Sequence, residues 1–151
     1  MTIPHNALVL VADGRKMLFL RNVGQANAIE LETETHHERD DLKDHELKTD
    51  AAGAGAQSGG YGRPAMGETD FHQQDEDRYI AEIAEQLRMR ALAGDFEALA
   101  IVAPPRALGE LRKHLHKEVE KRIVLELAKE MTDRPIPDIA AMLMGRSEPP
   151  N

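Results

Sequence analysis

The sequence contains no cysteine and no tryptophan, and aromatic residues make up only 3% of its 151 positions. Without cysteine there is no disulfide scaffold, no thiolate metal site and no cysteine nucleophile. The scarcity of aromatic residues means that the core must be built from aliphatic side chains. Because 41% of the residues are hydrophobic and 30% are charged, we expect one globular domain over residues 1–151.

Long apolar runs and a basic N-terminus are also lacking. No segment approaches the roughly 20 apolar residues that a membrane helix needs. No Lys or Arg precedes the apolar run at 7–12, as it would in a signal peptide. We therefore expect a cytoplasmic protein that does not bind membranes. The formal net charge of -8 argues against binding nucleic acid through overall charge and leaves room for a local basic surface.

Three strands are predicted near the start of the chain. The aliphatic run at 7–12 is typical of a strand that is buried on both faces. The turn pair Asp13-Gly14, followed by the apolar run at 17–20, predicts a hairpin. Residues 29–34 alternate strictly between apolar and polar, as in a strand with one face in water. Together these segments predict an antiparallel meander.

Residues 37–70 interrupt this pattern. Their first part mixes charges of both signs, and residues 51–62 are mostly Gly and Ala around Gln57, Ser58 and Tyr61. So long a connection without apolar periodicity is either disordered or functional. We predict a flexible insertion. A phosphate-binding loop is the less favoured alternative, because such glycine-rich motifs stand directly between a strand and a helix.

Helices and strands alternate after the insertion. Ile80, Ile83 and Leu87 recur at helical spacing, which predicts a helix from an N-cap at Asp70 to a stop at Gly94. Residues 119–131 fit either a helix or a strand, and we prefer a strand from about residue 122. The remaining predicted elements are a strand at 96–103, a helix opened by Pro105 and a short helix after Pro135. The order β-β-β-α-β-α-β-α predicts an α/β fold with a mixed five-stranded sheet, as in ribonuclease-H-like domains.

A complete catalytic or metal site is not predicted. Asp13 ends the first strand, where a ribonuclease-H-type nuclease has a metal-binding carboxylate, but the fourth strand ends in Ala-Pro-Pro without an acid. Two divalent metals need several carboxylates, so we interpret Asp13 as a turn residue. His36 and His37 point to opposite faces of a strand, and His114 and His116 are about 200° apart on a helix. We therefore predict no bound metal and no cofactor.

The segment 106–122 reverses the charge of this acidic chain. Six cations accompany only three acids, Glu110, Glu118 and Glu120. A local basic patch of this kind can bind phosphates in a salt-dependent way. The simpler alternative is a solvated helix face with ion pairs between successive turns. The six cations are Arg106, Arg112, Lys113, Lys117, Lys121 and Arg122.

The stretch at 103–112, Ala-Pro-Pro-Arg-Ala-Leu-Gly-Glu-Leu-Arg, resembles a hallmark segment of the bacterial host-attachment protein family. Residues 129–132 (Lys-Glu-Met-Thr), residues 70–79 and residues 10–14 with the following hairpin also resemble segments of that family. The family name implies a role in attachment to host cells without stating a mechanism. For a chain without an export signal, the resemblance implies an indirect role inside the cell.

The predicted strand order is also similar to the middle domain of archaeo-eukaryotic peptide-release factors and of Pelota. In release factors, a Gly-Gly-Gln loop between the third strand and the first helix reaches peptidyl-tRNA. Here the corresponding segment reads Gly55-Ala56-Gln57-Ser58, with Ala where the family has its second Gly. The resemblance makes Gln57 a candidate catalytic residue. The candidate loop-binding residues are Gly55, Gln57, Gly59, Gly60 and Arg63.

Three functional hypotheses follow from these features. The first is a non-enzymatic binding protein of the host-attachment family that contacts ribosomes, tRNA or other RNA through the basic segment and the loop. The second is a release or rescue factor that hydrolyses peptidyl-tRNA with the Gln57 loop. The third is a protein-interaction module whose loop folds on a protein partner.

Overall fold

Five strands form one mixed sheet in the order β3-β2-β1-β4-β5. β1 pairs antiparallel with β2, and β2 pairs antiparallel with β3. β1 and β4 are parallel, as are β4 and β5. The strands are β1 (Leu8–Ala12), β2 (Lys16–Asn22), β3 (Leu31–Glu38), β4 (Leu99–Ala103) and β5 (Ile123–Ala128). The prediction of an α/β fold with a mixed five-stranded sheet is confirmed.

The computed structural model describes residues 3–39 and 65–147, apart from the side chains of 65–70 and 146–147. Its helices are α1 (Ala65–Leu92), α2 (Pro105–Arg112), α3 (Lys117–Glu120) and α4 (Ile136–Ser147). None of the helices in this part of the chain combines the length and the apolar character that crossing a membrane requires.

The sheet lies between two helical layers because its central strands are apolar on both faces. Every residue of β1 and of β4 is buried. On one face, α1, α2 and α3 cover a core that includes Leu10, Phe19 and Ile101. On the other face, Ile139 and Leu143 of α4 pack in a second core. The continuous aliphatic runs were therefore correctly interpreted as strands buried on both sides.

Described elements overlap the predicted insertion, at about 37–70, by two residues at its start and by six at its end. β3 continues to Glu38, since an edge strand in contact with water accepts polar residues. α1 begins at Ala65, so Asp70 lies in its second turn and is not the N-cap. Residues 65–70 lack apolar periodicity, so the sequence pattern did not indicate the first turns of α1. Residues 40–64 lie outside the described part of the chain, and the flexible insertion stays a prediction.

The segment after β4 was predicted as one helix and forms two. α2 ends at Arg112, and α3 begins after His116, whose Nδ1 accepts a hydrogen bond of 2.9 Å from the backbone N–H of Glu118. The strand preferred over a helix from about residue 122 is confirmed as β5. The element order thus contains one short helix more than predicted. The closer likeness to ribonuclease H stays a prediction.

Candidate functional site

A cleft lies where β1 and β4 end. These neighbouring strands are parallel, and the chain leaves them in opposite directions, from β1 to β2 and from β4 towards β5. Such a switch point opens a crevice at the carboxyl ends of the strands, where ligands of α/β proteins commonly bind. The cleft has a volume of about 250 Å³. Its lining comprises Asp13, Gly14, Arg15, Gln73, Glu76, Asp77, Ile80, Pro104, Arg106, Ala107, Glu110 and Glu130.

The four sequence segments that resemble the host-attachment family all contribute to this cleft. Asp13 and Gly14 come from segment 10–14, and Glu76 comes from segment 70–79. Arg106 comes from segment 103–112, and Glu130 comes from segment 129–132. These segments are far apart in the chain and meet only because the sheet brings the three parallel strand ends to one edge.

Asp13 closes the β1–β2 turn. Its Oδ1 accepts hydrogen bonds of 2.7 Å from the backbone N–H groups of Arg15 and Lys16. Its Oδ2 lies 2.9 Å from the hydroxyl of Thr132, in the loop after β5. Burial would raise the pKa of Asp13, but the hydrogen bonds from Arg15, Lys16 and Thr132 outweigh it and lower the pKa. The interpretation of Asp13 as a turn residue is confirmed, whereas its hydrogen bond to Thr132 was not predicted.

Within the described side chains, no metal site forms around Asp13. Nowhere in residues 3–39 and 71–145 do three His, Asp or Glu side chains group in a way that could hold a metal ion. His114 Nε2 instead lies 3.0 Å from Glu110 Oε2, and His116 caps α3.

The end of β3 is fixed to two other elements at the same edge of the sheet. The backbone N–H of Arg39 donates to the Arg15 carbonyl oxygen at 2.8 Å, and Arg39 Nε donates to the Gly14 carbonyl oxygen at 2.7 Å. The Tyr79 hydroxyl of α1 lies 2.8 Å from His37 Nδ1, and the two rings stack with centroids 5.6 Å apart. Burial, with the nearby charge of Asp13, raises the pKa of Tyr79 to about 12. These contacts hold the end of β3 against the β1–β2 turn and α1.

α1 contacts this end of β3 through Tyr79 and extends beyond the ends of the strands. Glu76 packs against Gly14, where an added Cβ would lie 2.9 Å from the Glu76 side chain. Ala65, where α1 starts, lies eleven positions before Glu76, which corresponds to a rise of about 16 Å along the helix. The connection between β3 and α1 thus begins beside the cleft and ends on a helix that projects past it.

The candidate loop residues belong to this connection. The predicted residues Gly55, Gln57, Gly59, Gly60 and Arg63 fall in the chain between β3 and α1, outside the described residues. The structure therefore does not test the loop residues themselves. It does establish the edge of the sheet from which their segment departs.

The predicted basic patch divides into two groups. Arg122 faces inward, because its Nη1 donates to the Phe96 carbonyl oxygen at 2.7 Å and only 21% of its side chain is exposed. The other five cations are exposed and lie on or beside α2 and α3: Arg106, Arg112, Lys113, Lys117 and Lys121.

Comparison with known proteins identifies the family. The model of bacterial archaeo-eukaryotic release factor family 12 matches residues 6–143, which is nearly the whole chain. This chain therefore belongs to that family. A search of the curated proteins finds no relative. The resemblance to release factors is confirmed at the level of the family, and the match does not support the host-attachment family name.

Proposed function

We propose that this member of bacterial archaeo-eukaryotic release factor family 12 acts in translation inside the cell, by binding the ribosome or tRNA. The family match over residues 6–143 supports a role linked to translation. The observation that carries the proposal is the position of the connection between β3 and α1, which begins where β3 ends beside the cleft. In release factors, the segment at this topological position contacts peptidyl-tRNA. Here the last described residue before this segment, Arg39, is hydrogen-bonded to Gly14 beside the cleft, and the next described element is α1, which begins at Ala65.

Sedimentation with ribosomes tests the proposal directly. The tagged chain is followed through sucrose gradients of a native lysate at low and moderate salt. We expect it to move with ribosomal particles at low salt and to leave them as salt rises, because contacts with phosphates release counterions. A chain that stays at the top of the gradient at both salt concentrations, and that also does not bind purified tRNA, would contradict the proposal.

A second candidate function is hydrolysis of peptidyl-tRNA. It is favoured by the place of Gln57, in the connection between the third strand and the first helix of a release-factor-like chain. Ala56 stands where release factors have Gly, and its Cβ restricts how closely the backbone approaches a substrate. A hydrolase of this kind would therefore be slow and limited by Ala56.

Two opposite substitutions test this candidate. Peptide release is measured on ribosomal complexes that carry labelled peptidyl-tRNA. If the loop is catalytic, Gln57→Ala abolishes release, while Ala56→Gly increases it. Ser58→Ala serves as the control, since it changes a neighbour without touching the Gly-Gln pair. Equal rates for all four proteins would leave binding as the function and exclude hydrolysis by Gln57.

A further inference from the structure

On the surface formed by α2 and α3, three ion pairs have a cation that is more exposed than its carboxylate. Lys113 pairs with Glu110, and their side chains are 70% and 18% exposed. Lys121 pairs with Glu118, at 62% and 28%. The same asymmetry holds for Arg112 and Glu126 of β5, at 58% and 28%. The ion pairs expected of a simple solvated helix face do form, and in these three the positive member is the more exposed one. The pair of Arg122 with Glu118 is the exception, at 21% and 28%.

Two further cations on this surface have no ion-pair partner within the described residues. Arg106 stands in the first turn of α2, and Lys117 begins α3, and both are exposed. In the range 105–122, the one exposed acid is Glu120. The outermost layer thus contains five cations and one carboxylate, in a chain whose formal net charge is -8.

We propose that the outer face of α2 and α3 binds the phosphate backbone of RNA. The inference rests on the proposed role in translation and assigns the RNA contact to one surface. An RNA backbone presents closely spaced negative charges, and exposed cations on two consecutive helices meet several of them at once. The cleft does not compete for this ligand, because its five carboxylates outnumber its two arginines, Arg15 and Arg106.

Neutralising two of these cations tests the assignment. The variant Lys113→Gln/Lys117→Gln is compared with Arg78→Gln/Arg88→Gln on α1, which lowers the net charge by the same amount. Binding to purified ribosomes and to bulk deacylated tRNA is measured between 50 and 200 mM salt. Each lost phosphate contact lowers the slope of log affinity against log salt by about one. Lys113 is 70% exposed and Lys117 is also exposed, so their removal should leave the thermal unfolding midpoint unchanged.

The outcomes separate this inference from the function on which it rests. We expect the α2–α3 variant to lose about two units of salt slope and at least tenfold in affinity, while the α1 control binds like the original chain. If both variants bind ribosomes like the original chain, the face does not bind RNA and the role in translation stands. If binding falls equally in both variants, the effect is one of net charge and the assignment to α2 and α3 is wrong. If the original chain binds neither particle nor tRNA, the proposed function fails first.

Discussion

The two ends of the strands, called here the two edges of the sheet, use charged residues in different ways. At the edge where β1 begins, Arg21 and Arg90 pair with Glu34 and Asp95 in one closed network. At the opposite edge, where β1 and β4 end, charged residues line an open cleft beside the root of the β3–α1 connection. At the first edge the charged side chains pair with one another, whereas at the second they line a cleft that a ligand could enter. We infer that the first edge stabilises the domain and that ribosome binding does not depend on it.

The geometry of the closed network supports this division. Arg21 donates to Glu34 and Asp95 and also to two backbone carbonyl oxygens, those of Asn6 and Asp95. Arg90 lies over the Phe19 ring at 4.8 Å while it binds the same two acids. A β-bulge between Phe19 and Leu20 marks the pairing of β2 with β3 near Glu34. Bulges redirect side chains and protect edge strands from pairing with other chains.

The largest expected effect concerns Asn22, a polar residue with none of its surface exposed. Its amide donates to the carbonyl oxygens of Ile3 and Pro4, and its Oδ1 accepts from the N–H groups of Gly24 and Glu30. Asn22→Ala leaves these groups unpaired, so we expect the free energy of unfolding to fall by about 3 kcal/mol. Urea denaturation measures the change.

The exposed Asn27→Ala, in the same β2–β3 turn, is the matched control and should cost less than about 0.5 kcal/mol. Ribosome binding by Asn22→Ala, measured below its unfolding transition, should equal that of the original chain. Weaker ribosome binding by this folded variant would mean that the first edge also takes part in binding.

The next effect compares one glycine at each edge. A Cβ on Gly24 would lie 2.2 Å from the Ala28 carbonyl oxygen, which belongs to the backbone of a tight turn. A Cβ on Gly14 would meet the side chain of Glu76, which can move into the cleft. We expect Gly24→Ala to cost about 2–3 kcal/mol, and Gly14→Ala about 1 kcal/mol or less. Thermal and urea denaturation measure the loss of stability in both variants. A larger loss for Gly14→Ala than for Gly24→Ala would contradict the comparison.

Local patterns in the sequence predicted the strands but not the contacts between distant loops. The runs at β1 and β4 are aliphatic at every position, because both faces of the sheet are covered, and this pattern is visible in the sequence. The bond between Asp13 and Thr132 joins residues 119 positions apart, and neither residue type is unusual at its position. The cleft could therefore be predicted only as a set of separate segments.

The break between α2 and α3 was hidden for a local reason. Residues 113–116 contain no Gly or Pro, the usual signals that end a helix. The new helix begins because the His116 side chain accepts the N–H of Glu118, and histidine is not among the common N-cap residues. The same break separates Lys113 from Lys117, so the sequence predicted the cations of the basic face without their arrangement.

A smaller effect tests the closed network by pH. The hydrogen bond from Arg21, supported by Arg90 against the effect of burial, lowers the pKa of Glu34. A lowered pKa in the folded state stabilises the protein above the unfolded pKa, and this contribution is lost as pH falls through the folded pKa. Glu34→Gln should therefore destabilise the domain by about 1 kcal/mol at pH 7 and by less at pH 3.

Glu32→Gln, on the same exposed strand, provides the comparison for Glu34→Gln. Unfolding free energies of both variants are measured from pH 3 to pH 7. A loss of stability by Glu34→Gln that is equal at pH 3 and pH 7 would mean that the network does not depend on the charge of Glu34.

The smallest effect is expected at the cleft. Thr132→Val removes the hydroxyl that lies 2.9 Å from Asp13 Oδ2 and 2.7 Å from Glu130 Oε1. The bond to Thr132 helps to lower the pKa of Asp13, so its loss should raise that pKa, which carboxyl NMR titration measures. The free energy of unfolding should change by less than about 1 kcal/mol, because the two backbone N–H groups still hold Asp13. Thr33→Val on the exposed β3 is the control, and a large loss of stability by Thr132→Val alone would make the cleft wall a stabilising element like the opposite edge.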